Sequence, residues 1–293
     1  MSQLSQSAAT PTERRFHMDD GVELVADAWG DPTHPPAVLL HGGGQTRNAW
    51  KRTAAVLAQH GYHAITVDQR GHGDSSWSPD ANYRFGRYAA DVGALARQFA
   101  IKPVLIGASL GGMSSIIAEG EAERSIASAL VLVDIAPGAD PEGKGKILGF
   151  MGSRADTGFA SLEEAAEVIA AYLPHRPRPK SLEGLRKNLR LGSDGRYRWH
   201  YDPAFVRVQF DELDRGDARL TAAARRLQVP VLLVRGGSSE LVSEDLARAF
   251  VGMVPNAAYV DVHGARHMVA GDENDPFTEV VLDFIGTLDR RRL

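Results

Sequence analysis

A run of Val104, Leu105 and Ile106 passes into Gly107, Ala108, Ser109, Leu110, Gly111 and Gly112, and from there into a helical segment. A serine with glycine two positions to either side suits a nucleophile on a very tight strand-to-helix turn, because those neighbours must be small for strand and helix to approach. The start of the helix adds unpaired N–H groups and a partial positive charge that favour a developing anion. Ser109 is therefore the candidate nucleophile. A second strand-like run ends in His41, Gly42, Gly43 and Gly44, where consecutive glycines let main-chain N–H groups come close to a substrate oxygen, as an oxyanion hole requires. A dinucleotide loop is excluded there, since GxGxxG from Gly42 would need glycine where Arg47 stands, and the phosphate-binding GxxxxGK[ST] pattern is absent.

Acyl transfer by a serine also needs a base and an acid. Near the C-terminus, Val262 is followed by His263, Gly264, Ala265, Arg266 and His267. A histidine on a loop after a strand can take and return a proton near neutrality, its ordinary pKa being about 6.5. His267 is the expected base, and His263, at the strand end, is its competitor. Two carboxylates qualify to fix the imidazole: Glu240, just after the Val231–Val234 strand and the first choice, and Asp134, which ends the Leu130–Val133 strand. Both give the chain order serine, acid, histidine.

The elements that must position these residues are short apolar runs alternating with helical stretches, the pattern of a mostly parallel sheet covered on both faces. Strands are expected at 22–28, 37–40, 63–67, 104–106, 130–133, 231–234 and 259–262, with helices at 49–58, 88–99, 113–123, 243–253 and 276–288. Residues 137–215 interrupt the alternation. No strand is expected there, but an amphipathic helix at 161–172, opened by the capping box Ser161-Leu162-Glu163-Glu164, precedes a proline-rich link and a basic helix near 182–191. This interval is read as a helical cap on a core formed by 14–136 and 216–293, with 1–13 an expected mobile tail.

The remaining conspicuous residues take structural readings. Asp68, Arg70, His72 and Asp74 suggest a loop held by an Asp to Arg pair. Arg186, Lys187 and Arg190 suggest a solvated face, and Trp199 and Tyr201 packing between cap and core.

Composition narrows the classes further. The 293 residues are 43% hydrophobic and 24% charged, close to globular averages, with a net charge of −4. That leaves no basic field for nucleic acid or anionic lipid. The absence of cysteine removes disulfide scaffolds, thiol catalysis and cysteine metal sites. No HExxH occurs and no cluster of His with Asp stands at metal spacing, so no metal or other cofactor is expected. Without an apolar span or signal-like N-terminus, a cytoplasmic protein acting on a small molecule is expected.

Together, HGGG, then DQRGHGDS, then GASLGG and finally GARH, each at a strand end, resemble the α/β-hydrolase superfamily over nearly the whole chain from about residue 20. By position, the resemblance implies Ser109 as nucleophile, His267 as base, and the N–H groups of Leu110 and Gly43, with Gly44 beside them, as the oxyanion site. The insertion after Asp134 matches the place where these enzymes carry a lid. The acid departs from the pattern: its usual position falls on Ser239, with Glu240 one residue later, while Asp134 resembles the acid site of some dehalogenase-like members. Epoxide hydrolases and dehalogenases use an aspartate nucleophile, so Ser109 speaks against both. The expected activity is hydrolysis of a small or medium carboxylic ester or lactone through an acyl-serine. Perhydrolase or haloperoxidase-like chemistry, carbon–carbon bond hydrolysis and a non-catalytic binding module are the alternatives.

Overall fold

In the computed structural model, the described residues are 10–172, 182–212, 216–237, 239, 241–262 and 274–290. Eight strands form one sheet: β1 (Thr12–His17), β2 (Glu23–Trp29), β3 (Pro36–Leu40), β4 (His63–Val67), β5 (Val104–Ala108), β6 (Ala129–Val133), β9 (Val231–Gly236) and β10 (Ala257–Val262). Their spatial order is β1-β2-β4-β3-β5-β6-β9-β10. The first two pairings in that order are antiparallel and all the others parallel.

The inner strands read apolar throughout because both faces are covered. Val38, Leu40, Leu105, Leu130 and Leu132 point into one core, packed by α2 (Phe85–Ala96), α3 (Leu110–Gly120), α7 (Gly216–Ala224) and α8 (Glu244–Met253). Alternate residues, Leu39, Ile106, Val131 and Val133, enter the other core, closed by α1 (Lys51–Gln59) and α9 (Asn274–Arg290). Because the strands β3, β5, β6 and β9 run parallel, the loops after them emerge at the same sheet edge, where Gly42 to Gly44, Ser109, Asp134 and Ser239 sit.

The chain between β6 and β9 stays outside this sheet. It holds α4 (Pro141–Gly152), α5 (Leu162–Tyr172), a 3₁₀ turn (Leu182–Lys187), a small antiparallel hairpin of β7 (Leu189–Leu191) and β8 (Tyr197–Trp199), α6 (Pro203–Glu212) and α7. The capping serine is present at α5: Ser161 Oγ accepts from the Glu164 N–H at 3.2 Å, and the Glu164 carboxylate reaches back to the Ala160 N–H at 2.5 Å. Trp199 and Tyr201 are buried, with rings stacked 6.0 Å apart, as packing residues should be. Arg186 and Arg190 are exposed.

Three expectations need correction. Residues 12 and 13 belong to β1, not to a tail; this exposed, charged edge strand gains its order only by pairing with β2. The inserted segment contains strands after all, because β7 and β8 pair with each other and not with the main sheet. The basic stretch at 182–191 is a 3₁₀ turn followed by β7 rather than one helix. Among the described residues, no helix is long and apolar enough to cross a membrane.

Candidate active site

Ser109 sits between β5 and α3 at φ +44°, ψ −108°, a conformation that non-glycine residues avoid and that costs of order 1–3 kcal/mol unless its surroundings impose it. The surroundings do impose it. The Ser109 N–H is held by the Val133 carbonyl at 3.1 Å, and its own carbonyl accepts the Met113 N–H at 2.9 Å. A Cβ on Gly107 would lie 2.5 Å from the Gly111 main chain, and one on Gly111 would collide with the Leu40 carbonyl. Strand, turn and helix can therefore meet only with glycine at both places. α3 begins at Leu110, whose N–H belongs to the first turn, where no intrahelical acceptor exists.

The glycine loop after β3 runs alongside. A Cβ on Gly42 would lie 3.5 Å from the Ser109 Cβ, and the Gly111 N–H donates to the His41 carbonyl at 3.2 Å, tying the loop to the start of α3. The loop's polar groups are mostly taken. The Gly42 N–H donates to Gln45 Oε1 at 2.9 Å, and the Gly42 carbonyl accepts from His41 Nδ1 at 2.8 Å and from the Gln45 N–H at 3.1 Å. The Gly44 N–H donates to His72 Nε2 at 3.1 Å, and the Gly44 carbonyl accepts from His200 Nε2 at 3.1 Å. Among the described residues, no acceptor takes the Gly43 N–H.

The three histidines around this loop are buried and neutral. Each ring has one nitrogen that accepts a main-chain N–H, so the other must carry the proton. His41 Nε2 accepts from Gln69, His72 Nε2 from Gly44 and His200 Nδ1 from Gly73. Burial pushes His41 and His200 down to about 4 and His72 well below its ordinary value, and the nearness of the His41 and His200 rings disfavours a charge on His72 further. The rings lie close, with centroids 5.1 Å apart for His41 and His72 and 5.9 Å for His72 and His200, yet all their nitrogens point to main-chain groups. His72 is thus a structural residue, as the sequence suggested. Asp68 in the same loop pairs with Arg47, while Arg70 forks onto Asp91 at 2.6 and 2.7 Å. The expected Asp to Arg bracing holds, with partners from outside the motif.

Asp134 follows β6 directly, and Ala108 pairs with Val133, so Asp134 and Ser109 are the next residues on adjacent strands. It is fully buried at φ +51°. Its Oδ2 accepts from the Ser239 hydroxyl at 2.7 Å, and Ser239 Oγ in turn accepts the N–H groups of Leu241 and Val242, both at 3.1 Å. Glu240, His263 and His267 lie outside the described residues.

Two residues of the inserted segment cover the glycine loop. A Cβ on Gly43 would lie 3.2 Å from Phe205 Cζ, and one on Gly44 2.9 Å from Met151 Cε. Sequence reasoning did not single out Met151, Phe205 or His200; only the neighbouring aromatics Trp199 and Tyr201 marked that stretch.

The doubly covered parallel sheet, with a strained serine at one strand end and a glycine loop beside it, defines the α/β-hydrolase fold. The model of the alpha/beta hydrolase family matches residues 37–281, and the chain belongs to that family. It is 30% identical over 278 residues to the esterase Rv0045c of Mycobacterium tuberculosis, covering 92% of this chain and 87% of that one. It is 26% identical over 277 residues to a non-heme chloroperoxidase of Streptomyces lividans, covering 91% and 97%. Among solved structures, E-2-(acetamidomethylene)succinate hydrolase superposes with a TM-score of 0.77 at 25% identity, covering 94% of this chain and 99% of that one.

Proposed function

We propose that this protein is a serine hydrolase that cleaves a small or medium carboxylic ester or lactone through an acyl-serine intermediate. The observation that carries the reading is Ser109 held at positive φ beside a glycine loop that leaves the Gly43 N–H free of described acceptors. His267 takes the Ser109 proton as the hydroxyl attacks the acyl carbon. The tetrahedral oxyanion is held by the N–H groups of Gly43 and Leu110. His267 then protonates the leaving alcohol, and water, deprotonated by the same imidazole, releases the acid. The interval 137–215 acts as a cap, with Met151 and Phe205 above the oxyanion loop on the acyl side.

Asp134 is the acid in this reading, in preference to Glu240. It is buried, lies one strand from Ser109, and is oriented by Ser239, the residue standing where the family's usual acid would be. The similarity to an esterase over most of both chains supports the ester substrate class.

Ser109→Ala tests the reading on p-nitrophenyl esters. The rate should fall by at least about 10³-fold, and labelling by a fluorophosphonate should vanish. An unchanged rate, or labelling that persists, rejects it. The similarity to a chloroperoxidase favours a second reading in which hydrogen peroxide replaces water on the acyl-enzyme and leaves as a peracid. Peracid formation from acetate and peroxide that depends on Ser109 distinguishes this outcome.

A further inference from the structure

The direction of the Gly43 N–H is set by a relay of planar peptides. A trans peptide fixes its C=O and N–H antiparallel, so whatever holds the Gly42 carbonyl aims the Gly43 N–H. The Gly42 carbonyl is held by the Gln45 N–H, and the peptide that carries this N–H has the Gly44 carbonyl at its other end. That carbonyl accepts the Nε2 proton of His200, 156 residues away, and His200 Nδ1 accepts the Gly73 N–H at 2.9 Å. The bonds run head to tail from Gly73 through the His200 ring, then through the Gly44–Gln45 and Gly42–Gly43 peptides. Each donor in such a chain is polarised by the bond it accepts.

We propose that His200 is a positioning residue for the oxyanion site, which makes the aim and donor strength of the Gly43 N–H depend on the inserted segment being seated on the sheet. The proposal rests on the hydrolase reading above for its kinetic consequence, but its geometry stands apart from it. His200 is placed by contacts on both sides. Its N–H donates to the Asn188 carbonyl at 3.2 Å, Trp199 and Tyr201 flank it as buried rings, and two residues on, the Asp202 N–H donates to Gly71 at 2.9 Å while its carboxylate accepts the Tyr83 hydroxyl at 2.6 Å. His41 makes a parallel bond to Gly42 from within the core, so loss of His200 weakens the loop's aim without dismantling the loop.

The experiment compares three variants. His200→Ala removes both bonds. His200→Asn retains an acceptor for Gly73 but falls short of Gly44, whereas His200→Gln can still donate to the Gly44 carbonyl. On p-nitrophenyl acetate, His200→Ala and His200→Asn should lose about tenfold in kcat with KM within about twofold, a fraction of the loss seen when an oxyanion donor is removed outright. His200→Gln should recover most of that loss. A kcat within twofold of the parent for His200→Ala overturns the proposal, as does an equal loss in all three variants accompanied by a raised KM. Ser109→Ala, run alongside, separates this outcome from failure of the hydrolase reading. A second measurement needs no turnover: in protein labelled with ¹⁵N-glycine, the Gly43 amide proton should move upfield in His200→Ala and return in His200→Gln. A Gly43 resonance indifferent to both overturns the proposal whatever the enzyme hydrolyses.

Discussion

At Ser109 and Asp134 the main chain adopts positive φ on two side chains that are not glycine, at the ends of neighbouring strands. Held conformations of this kind cluster at functional sites because the surrounding structure over-determines them. On the side of Asp134 away from Ser109, after β9, stands Ser239, whose hydroxyl accepts two main-chain N–H groups and so has its proton directed at Asp134. A hydrogen bond to a charged group contributes about 1.5–3 kcal/mol, so Ser239→Ala should lower kcat by roughly ten- to a hundredfold. With Asp134 as the acid of the proposed triad, Asp134→Asn should lower it by about 10²- to 10⁴-fold, since the imidazole would lose the partner that fixes its tautomer. Adding Ser239→Asp to that variant returns a carboxylate to the neighbouring loop and should restore activity by at least about tenfold. Steady-state kinetics on one ester decides the matter: full activity in Asp134→Asn with loss in Glu240→Gln transfers the role to Glu240.

The loop after β3 and the hairpin of β7 and β8 meet through histidines, which links their contact to pH. His41 and His200 titrate near 4 in the folded chain against about 6.5 when exposed, so between those values the unfolded chain binds more protons than the folded one. Stability is therefore complete above about pH 6.5 and falls as pH drops toward 4, by up to about 1.4 kcal/mol per pH unit for each histidine. His72 adds to the effect in the same direction. Around His200, Asp68 opposes the shift, while Arg190 and His41 reinforce it. Urea unfolding at pH 7 and pH 5 should show the loss, and His200→Gln should make it smaller, His41 and His72 still contributing; equal midpoints at the two pH values would contradict the neutral assignment.

Across the whole molecule, the segment between β6 and β9 returns to the sheet edge and lays Met151 and Phe205 against the glycine loop. Phe205, 2% exposed, packs over Gly43 and against the His72 ring at 4.6 Å, and in the proposed acyl-serine reaction it would limit the space beside the acyl carbon. Phe205→Leu should shift the kcat/KM ratio of octanoate to acetate esters upward several-fold, each newly accommodated methylene contributing about 0.8 kcal/mol at most. The same change should lower stability by about 1–3 kcal/mol, since the Phe205 ring also packs against Tyr83, Tyr88 and Tyr201. A chain-length profile identical to the parent's removes Phe205 from the acyl pocket.

The alternation of apolar runs, the small residues at 107 and 111 and the glycines at 42–44 were legible in the chain itself. They answer to local rules: a strand covered on both faces must be apolar throughout, and a tight turn admits only what its sterics allow. The edge strand β1 and the hairpin of β7 and β8 were not legible, because β1 is exposed and charged, β7 and β8 are only three residues each, and all are ordered only by their partners. Nor did local pattern reveal that Ser239 would meet Asp134 across 105 residues, or that His200 would reach Gly44 across 156. Those contacts exist because strand order makes β6 and β9 neighbours and folds the chain between them back over the sheet edge. Such hydrogen bonds depend on which loops share an edge, a property of the assembled sheet that no local run of residues encodes.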